Sequence, residues 1–332
     1  MLDCPACGST APRPLVEEHR DPINAAEYRI RICPDCGVVS SEPREAVGAD
    51  WYEKSAPIRG RERRPPPEKD WRFRQFLSDR VPRGRLLDVG CGDGGFLRLA
   101  AAAGFSPIGF DFDARVAAQA RAQGLDVHTA EFSVFCAGRE PGEFGAITLF
   151  DVLEHTPEPA WFLGKLKGLL KPGGHLAITL PNGLRPLPWR REEHDFPPHH
   201  FTRWTPDSLK VFLERHGFEV VRQDAGTLKL RYLSDHCFFF RVMPGLLALA
   251  RRVLFGRSAR GNGATITELY RRSKSAPAGM LGDKLRRQRL VDVARFSFQI
   301  AFSPAALVQR AYYRSREPRS GDCLYTLARR CG

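Results

Sequence analysis

An apolar run that breaks into alternate glycines constrains this chain more than any other feature: between Leu86 and Leu97 it reads LLDVGCGDGGFL. Leu86, Leu87 and Val89 suit a buried strand, and Gly90, Gly92 and Gly94 then let the backbone turn tightly and approach a ligand. A helix from about Gly95 through Ala103 would aim its N-terminal N–H groups at that ligand. Asp88, two residues before the first glycine, sits at the strand's C-terminal end. An acid there suits a ligand with a cationic amino group and hydroxyls better than one held by a pyrophosphate.

The glycines alone leave the ligand open. Gly90, Gly92 and Gly95 also satisfy GxGxxG, the dinucleotide fingerprint, and Asp111 stands about 20 residues on, where a ribose-binding acid belongs. The stretches SPIGFDFD (Ser106 to Asp113), FGAITLFDVLEH (Phe144 to His155), LKPGGHLAITLPN (Leu170 to Asn182) and HGFEVV (His216 to Val221) break the tie. In that order they resemble the class I S-adenosylmethionine-dependent methyltransferases, in particular the broad bacterial group with a VLEH-type fourth strand and a KPGG turn. The resemblance runs over roughly residues 70 to 235. It implies S-adenosylmethionine as cofactor and a role for single residues. Asp88 with Gly90, Gly92 and Gly94 would hold the methionine moiety, Asp111 would accept from both ribose hydroxyls, and Phe112 would flank the adenine. Glu131 would stand near the adenine amino group, and Asp151 would follow the fourth strand beside the departing methyl. A nicotinamide dehydrogenase and a non-catalytic cofactor-binding scaffold are the competing readings.

The expected fold class is α/β, a Rossmann-like class I methyltransferase sheet, mostly parallel with a terminal antiparallel hairpin. Strands are expected near 85–89, 106–110, 125–129, 145–150 and 175–180, with helices near 95–103, 113–123, 158–170 and 206–216. Thr205 is an N-cap, Pro206 fits the first helical position and Gly217 closes that last helix. FEVVRQ and TLKLRYL are expected to form the hairpin.

Before this domain, Cys4 and Cys7 form one CxxC and Cys33 and Cys36 another, in the near-identical knuckles CPACG and CPDCG. Two such knuckles supply four soft, tetrahedral ligands, so a structural Zn2+ with no open position is expected, with YRIRIC as a strand leading into the second knuckle. The implied organisation is a zinc ribbon at 1–45, a charged, proline-rich linker at 46–70, the methyltransferase domain at 71–235 and a mainly helical, basic amphipathic region at 236–332. Trp71 to Val81 reads as a helix that covers the cofactor pocket or simply packs.

The N-terminus lacks a basic stretch followed by an apolar run, and no apolar segment is long enough to span a bilayer, so a cytoplasmic protein is expected. Nine cysteines, one of them (Cys91) inside the glycine loop, agree with a reducing compartment. The net charge of +13 is concentrated from Lys229 onward, where 21 Lys and Arg face 6 Asp and Glu. Cys237 to Phe255 and Val293 to Tyr313 are apolar stretches flanked by arginines, which suits peripheral contact with an anionic membrane at its inner face. Core helices of a cap and an RNA-binding surface are the alternatives.

Methyl transfer is an in-line displacement from a sulfonium, so the chain must align the reactants and, for a hydroxyl acceptor, remove a proton. His155 ends VLEH, and the segment after Asn182 carries His194, Asp195, His199 and His200. His155, His199 and His200 are the catalytic candidates, and His194 and Asp195 with the PPHH pair form a conceivable second metal set. The expected acceptor is a small molecule or glycan, methylated on oxygen and with lipid-linked compounds in the candidate set; RNA held by the ribbon and basic tail is the alternative.

Overall fold

The structure is a computed structural model and describes residues 3–45, 51, 66–186, 195–242, 244–245 and 281–332. The short apolar runs do become the strands of one seven-stranded sheet: β4 (Arg85–Val89), β5 (Ser106–Phe110), β6 (Val127–His128), β7 (Phe144–Phe150), β8 (Leu170–Pro181), β10 (Phe218–Ala225) and β11 (Cys323–Arg330), in the spatial order β10-β11-β8-β7-β4-β5-β6. The pairs β4–β5, β4–β7, β5–β6 and β7–β8 are parallel, whereas β11 runs antiparallel to both β8 and β10. This is the Rossmann-like methyltransferase order. Strand sequence reverses between β4 and its two neighbours, which opens a crevice at the C-terminal edge of the central strands. Helices α1 (Trp71–Ser78), α2 (Gly95–Ala102), α3 (Ala114–Arg121), α4 (Phe132–Ala137), α5 (Pro159–Leu169) and α6 (Pro206–Arg215) accompany the sheet. Helix α6 starts as its sequence dictates: the Thr205 side chain accepts from Ser208 N–H in a capping box, Pro206 opens the helix, and Gly217 follows with φ of 81°.

The hairpin is built differently from the sequence expectation. Its first strand is β10, but the second is β11, and TLKLRYL runs instead into helix α7 (Leu230–Cys237). Leu230 and Leu233 stand at helical spacing and, with Leu228, Phe302, Ala306 and Tyr313, close a small apolar cluster of their own. The region from 236 onward is therefore no independent tail, because it returns to supply the strand between β8 and the edge strand β10. The excursion leaves and re-enters at one point. Gly226 N–H donates to the Cys323 carbonyl at 2.7 Å, and a Cβ on Gly321 would stand 1.6 Å from the Gly226 carbonyl oxygen. Within the excursion, helix α8 (Leu281–Arg316) packs against α7, and Arg295 pairs with Asp235 across the two. Most of the expected Cys237 to Phe255 segment lies outside the described residues.

The N-terminal residues form a second sheet from β1 (Leu15–Arg20), β2 (Glu27–Ile32), β3 (Val39–Glu42) and, from far along the chain, β9 (Thr202–Arg203). Cys4, Ala6, Cys33 and Val38 are buried in one continuous cluster with Trp204, Leu209 and Phe212. The ribbon is thus packed onto the main domain. Most of the expected linker lies outside the described residues; Trp51 within it is buried and donates its indole N–H to Asp21 at 2.7 Å.

Candidate functional site

Strand β4 delivers its glycines into the crevice in left-handed conformations, with φ of 76° at Gly90, 57° at Gly92 and 78° at Gly94. A side chain at Gly90 would also collide with Val152, whose Cγ2 lies 2.6 Å from the position of a Cβ. The glycine loop and the turn after β7 are in direct contact. Asp111, just beyond β5, accepts from Gly92 N–H through one carboxylate oxygen and from Asp113 N–H through the other, each at 2.8 Å. It ties the two loops of the crevice together before any ligand arrives. Asp88 lies beneath the loop, 2% exposed, and accepts from the Thr148 hydroxyl at 2.7 Å. Burial raises its pKa from 3.8 to about 7, opposed by the Thr148 hydrogen bond and reinforced by the charge on Asp111.

Phe112 is 56% exposed on the rim, edge-on to Phe110. It joins Phe132 and, through it, the exposed Trp161, an aromatic neighbour that sequence reading missed because Trp161 sits on α5, far from any loop motif. Glu131 is exposed and caps α4, its carboxylate accepting from Val134 N–H at 3.1 Å and from the Ser133 hydroxyl. Asp151, with φ of 59°, accepts from the Thr179 hydroxyl at 3.1 Å and pairs with Arg72. Arg72 bridges Asp151 to Asp70, the N-cap of α1, so α1 is clamped over the C-terminal end of β7. That clamp was not legible in the sequence.

His155 closes the short 3-10 turn Leu153–His155, while His199 and His200 belong to the turn that leads into β9. The two turns are sewn together: Phe201 N–H donates to the Glu154 carbonyl at 2.9 Å, and His155 Nδ1 lies 2.6 Å from the His199 carbonyl. The ring centroids of His155, His199 and His200 stand 4.6, 4.7 and 4.8 Å apart. The ribbon and the linker after it support this turn from outside, with His19 stacked on Phe196 at 4.2 Å and the Trp51 ring 6.2 Å from His199. Asp195 is buried in an ion pair with Arg185 and takes no part in the cluster; His194 lies outside the described residues. The catalytic candidates meet, therefore, although they are 44 residues apart in the pairing of His155 with His199.

At the other end of the ribbon the sulfurs of Cys4, Cys7, Cys33 and Cys36 all lie within 4.8 Å of one another, with Cys4–Cys36 and Cys7–Cys33 both at 3.7 Å. Four sulfurs about 2.3 Å from one tetrahedral ion stand roughly 3.8 Å apart. The knuckles are superimposable in pattern: Gly8 N–H donates to the Cys4 carbonyl and Gly37 N–H to the Cys33 carbonyl, both at 2.9 Å, with φ of 71° and 70°. The donor set and its spacing fit Zn2+.

The methyltransferase domain family matches residues 61–223. Ubiquinone biosynthesis O-methyltransferase of Ralstonia nicotianae is 30% identical over 39% of this chain and 47% of its own length, and the protein of the same name from Aromatoleum aromaticum is 35% identical over 30% and 44%. The chain spans about half the length of these curated relatives. A solved S-adenosylmethionine-dependent methyltransferase from Archaeoglobus fulgidus, 16% identical, aligns with 84% of this chain and 99% of its own at a TM-score of 0.49. Strand order, glycine loop and family match agree that residues 61–223 carry an S-adenosylmethionine-dependent methyltransferase domain.

Proposed function

We propose that the protein transfers a methyl group from S-adenosylmethionine to a hydroxyl oxygen of a small-molecule or glycan acceptor. One observation carries the reading: the glycine loop of β4 and the histidine cluster after β7 sit on the same sheet edge, joined by the contact of Val152 with Gly90. The residues present fit the cofactor. Asp88 and the glycines would take the cationic methionine end, Asp111 the ribose hydroxyls and Phe112 the adenine face, and the cofactor would supply a methyl on a positively charged sulfur. The protein's own work is to hold the acceptor in line, exclude water and deal with the acceptor's proton. The imidazoles of His155, His199 and His200 are the groups placed for that proton. The O-methyltransferase names of the relatives support oxygen as acceptor atom. The Cys4, Cys7, Cys33 and Cys36 set would hold a structural Zn2+ that braces the wall behind His199.

The test is methyl-labelled cofactor offered with panels of phenolic, alcoholic and amine acceptors. Label should enter hydroxyl compounds, and Asp111→Ala should weaken cofactor binding by about 1.5–3 kcal/mol through lost ribose contacts. Transfer to amines alone, or cofactor affinity unchanged in Asp111→Ala, would overturn the assignment of acceptor or of ribose site respectively. We also propose that helix α8 contacts an anionic membrane surface. Val293, Phe296, Ile300, Leu307, Val308 and Tyr312 are exposed along it, and among the described residues no helix is long and apolar enough to cross a membrane.

A further inference from the structure

We propose that His155, His199 and His200, with Glu154 beside them, form a second metal site that takes a divalent first-row transition cation. One nitrogen from each of the three rings can be chosen so that all lie within 4.8 Å of one another. Closing them onto an ion about 2.0–2.1 Å from each asks only for ring adjustments of roughly an ångström. The His155 ring is already held in place: its Nδ1–H donates to the His199 carbonyl at 2.6 Å. A backbone carbonyl in that position is the usual means of fixing the tautomer of a ligating imidazole.

The second, independent observation is Glu154. It is 2% exposed, and neither carboxylate oxygen has a hydrogen-bond partner among the described residues. Its Oε1 lies 4.0 Å from His155 Nε2, wider than the roughly 3.3 Å between two ligand atoms of one tetrahedral ion, so it stands beside a bound ion and offsets its charge instead of ligating it. A carboxyl group buried without a partner is costly, and a cation held beside it by three imidazoles offsets the cost. Three imidazole nitrogens select zinc, cobalt, nickel or ferrous iron over calcium and magnesium, which prefer oxygen throughout. The set is chemically distinct from the all-sulfur cluster of Cys4, Cys7, Cys33 and Cys36. With an ion bound, the three ring lone pairs would be spent on the metal, which at its open position would act as a Lewis acid on the acceptor's hydroxyl, whose proton would leave to water. Metal binding itself does not depend on the transferase reading, because it can be counted without turnover.

The full-length protein, stripped with a chelator and reloaded with Co2+, provides the test. Wild type should bind two equivalents, one with an intense sulfur-to-cobalt charge-transfer band and one with weak ligand-field bands alone. The double variant His199→Ala/His200→Ala should bind one equivalent and keep the charge-transfer band, which also reports that the ribbon and its packed partner strand are folded. Glu154→Gln should retain both equivalents while weakening the second by about tenfold to a hundredfold. One equivalent in wild type overturns the proposal and leaves the histidines as proton acceptors only. Two equivalents in the double variant overturn it equally.

Discussion

Strand β11 makes removal of the C-terminal third a test of the fold. A chain ending at residue 235 loses the strand between β8 and β10, which pairs with β8 from Cys323↔Pro181 to Arg329↔His175 and with β10 along its whole length. Leu324, Tyr325 and Leu327 are buried, and the Tyr325 hydroxyl donates to Asp79 at the end of α1 at 2.6 Å. At about 1.5–3 kcal/mol for each such side chain, their loss alone removes roughly 5–9 kcal/mol. That is comparable to the entire stability of an ordinary domain, about 5–15 kcal/mol. The truncated chain should not fold. Replacing residues 227–318 with a short Gly/Ser linker should do little harm, because the excursion leaves and returns at Gly226 and Gly321 and buries Leu228, Leu233 and Ala306 in its own cluster. A shorter loop also closes at slightly lower entropic cost. Thermal unfolding and calorimetric titration with S-adenosylmethionine separate the two. The reasoning fails if the chain ending at 235 melts cooperatively and binds with full-length affinity, or if the spliced chain does neither.

Asp88 sets a pH dependence. Because its folded-state value, about 7, lies above the ordinary 3.8, the empty protein loses this group's contribution to stability as pH rises from about 4 through 7, while a bound cationic amino group favours the ionised form. Cofactor affinity should therefore climb through pH 7 with proton release near pH 6.5, seen by calorimetry in buffers of different ionisation enthalpy; a flat profile in wild type would falsify the placement of the cation beside Asp88. For the ribbon, burial of Cys4, Cys33 and Val38 in one cluster with Trp204 predicts that chelation or acid lowers the single melting transition of the whole molecule rather than freeing the N-terminus alone. A main transition that stays put on metal removal would refute that coupling. Phe296→Glu with Ile300→Glu should abolish sedimentation with anionic vesicles at low salt while cofactor affinity persists; wild-type protein that stays in the supernatant removes the membrane proposal.

What was legible in the sequence is what local chemistry determines. Leu86, Leu87 and Val89 announce a buried strand, the alternate glycines announce the turn, and Thr205 with Pro206 announces a helix start, because each signal lies within a few residues of its effect. Strand β11 was hidden since its partners stand about a hundred residues upstream and TLKLRYL beside β10 has an equally strand-like composition. Helix α4, six residues opening on the Glu131 cap, was too short to show a period. VLEH and PPHH were each visible as histidine-bearing segments, but it takes the hydrogen bonds from Phe201 to Glu154 and from His155 to His199 to bring them together. Glu131, placed by family position near the adenine, also holds a helix end that no local signal announced.

The short strand β9 has a consequence for biosynthesis. Strand β3 completes its edge only with Thr202 and Arg203, and Ser41 bonds to Phe201 across 160 residues of chain. At about 5–20 residues per second, roughly 8–30 s of translation separate the two. Through that interval the nascent N-terminal sheet exposes a bare edge, the kind of surface that recruits foreign strands. The two cysteine knuckles can meet as soon as Cys36 is made, long before the edge is covered, so metal supply during synthesis would govern how safely the first forty residues wait for the rest.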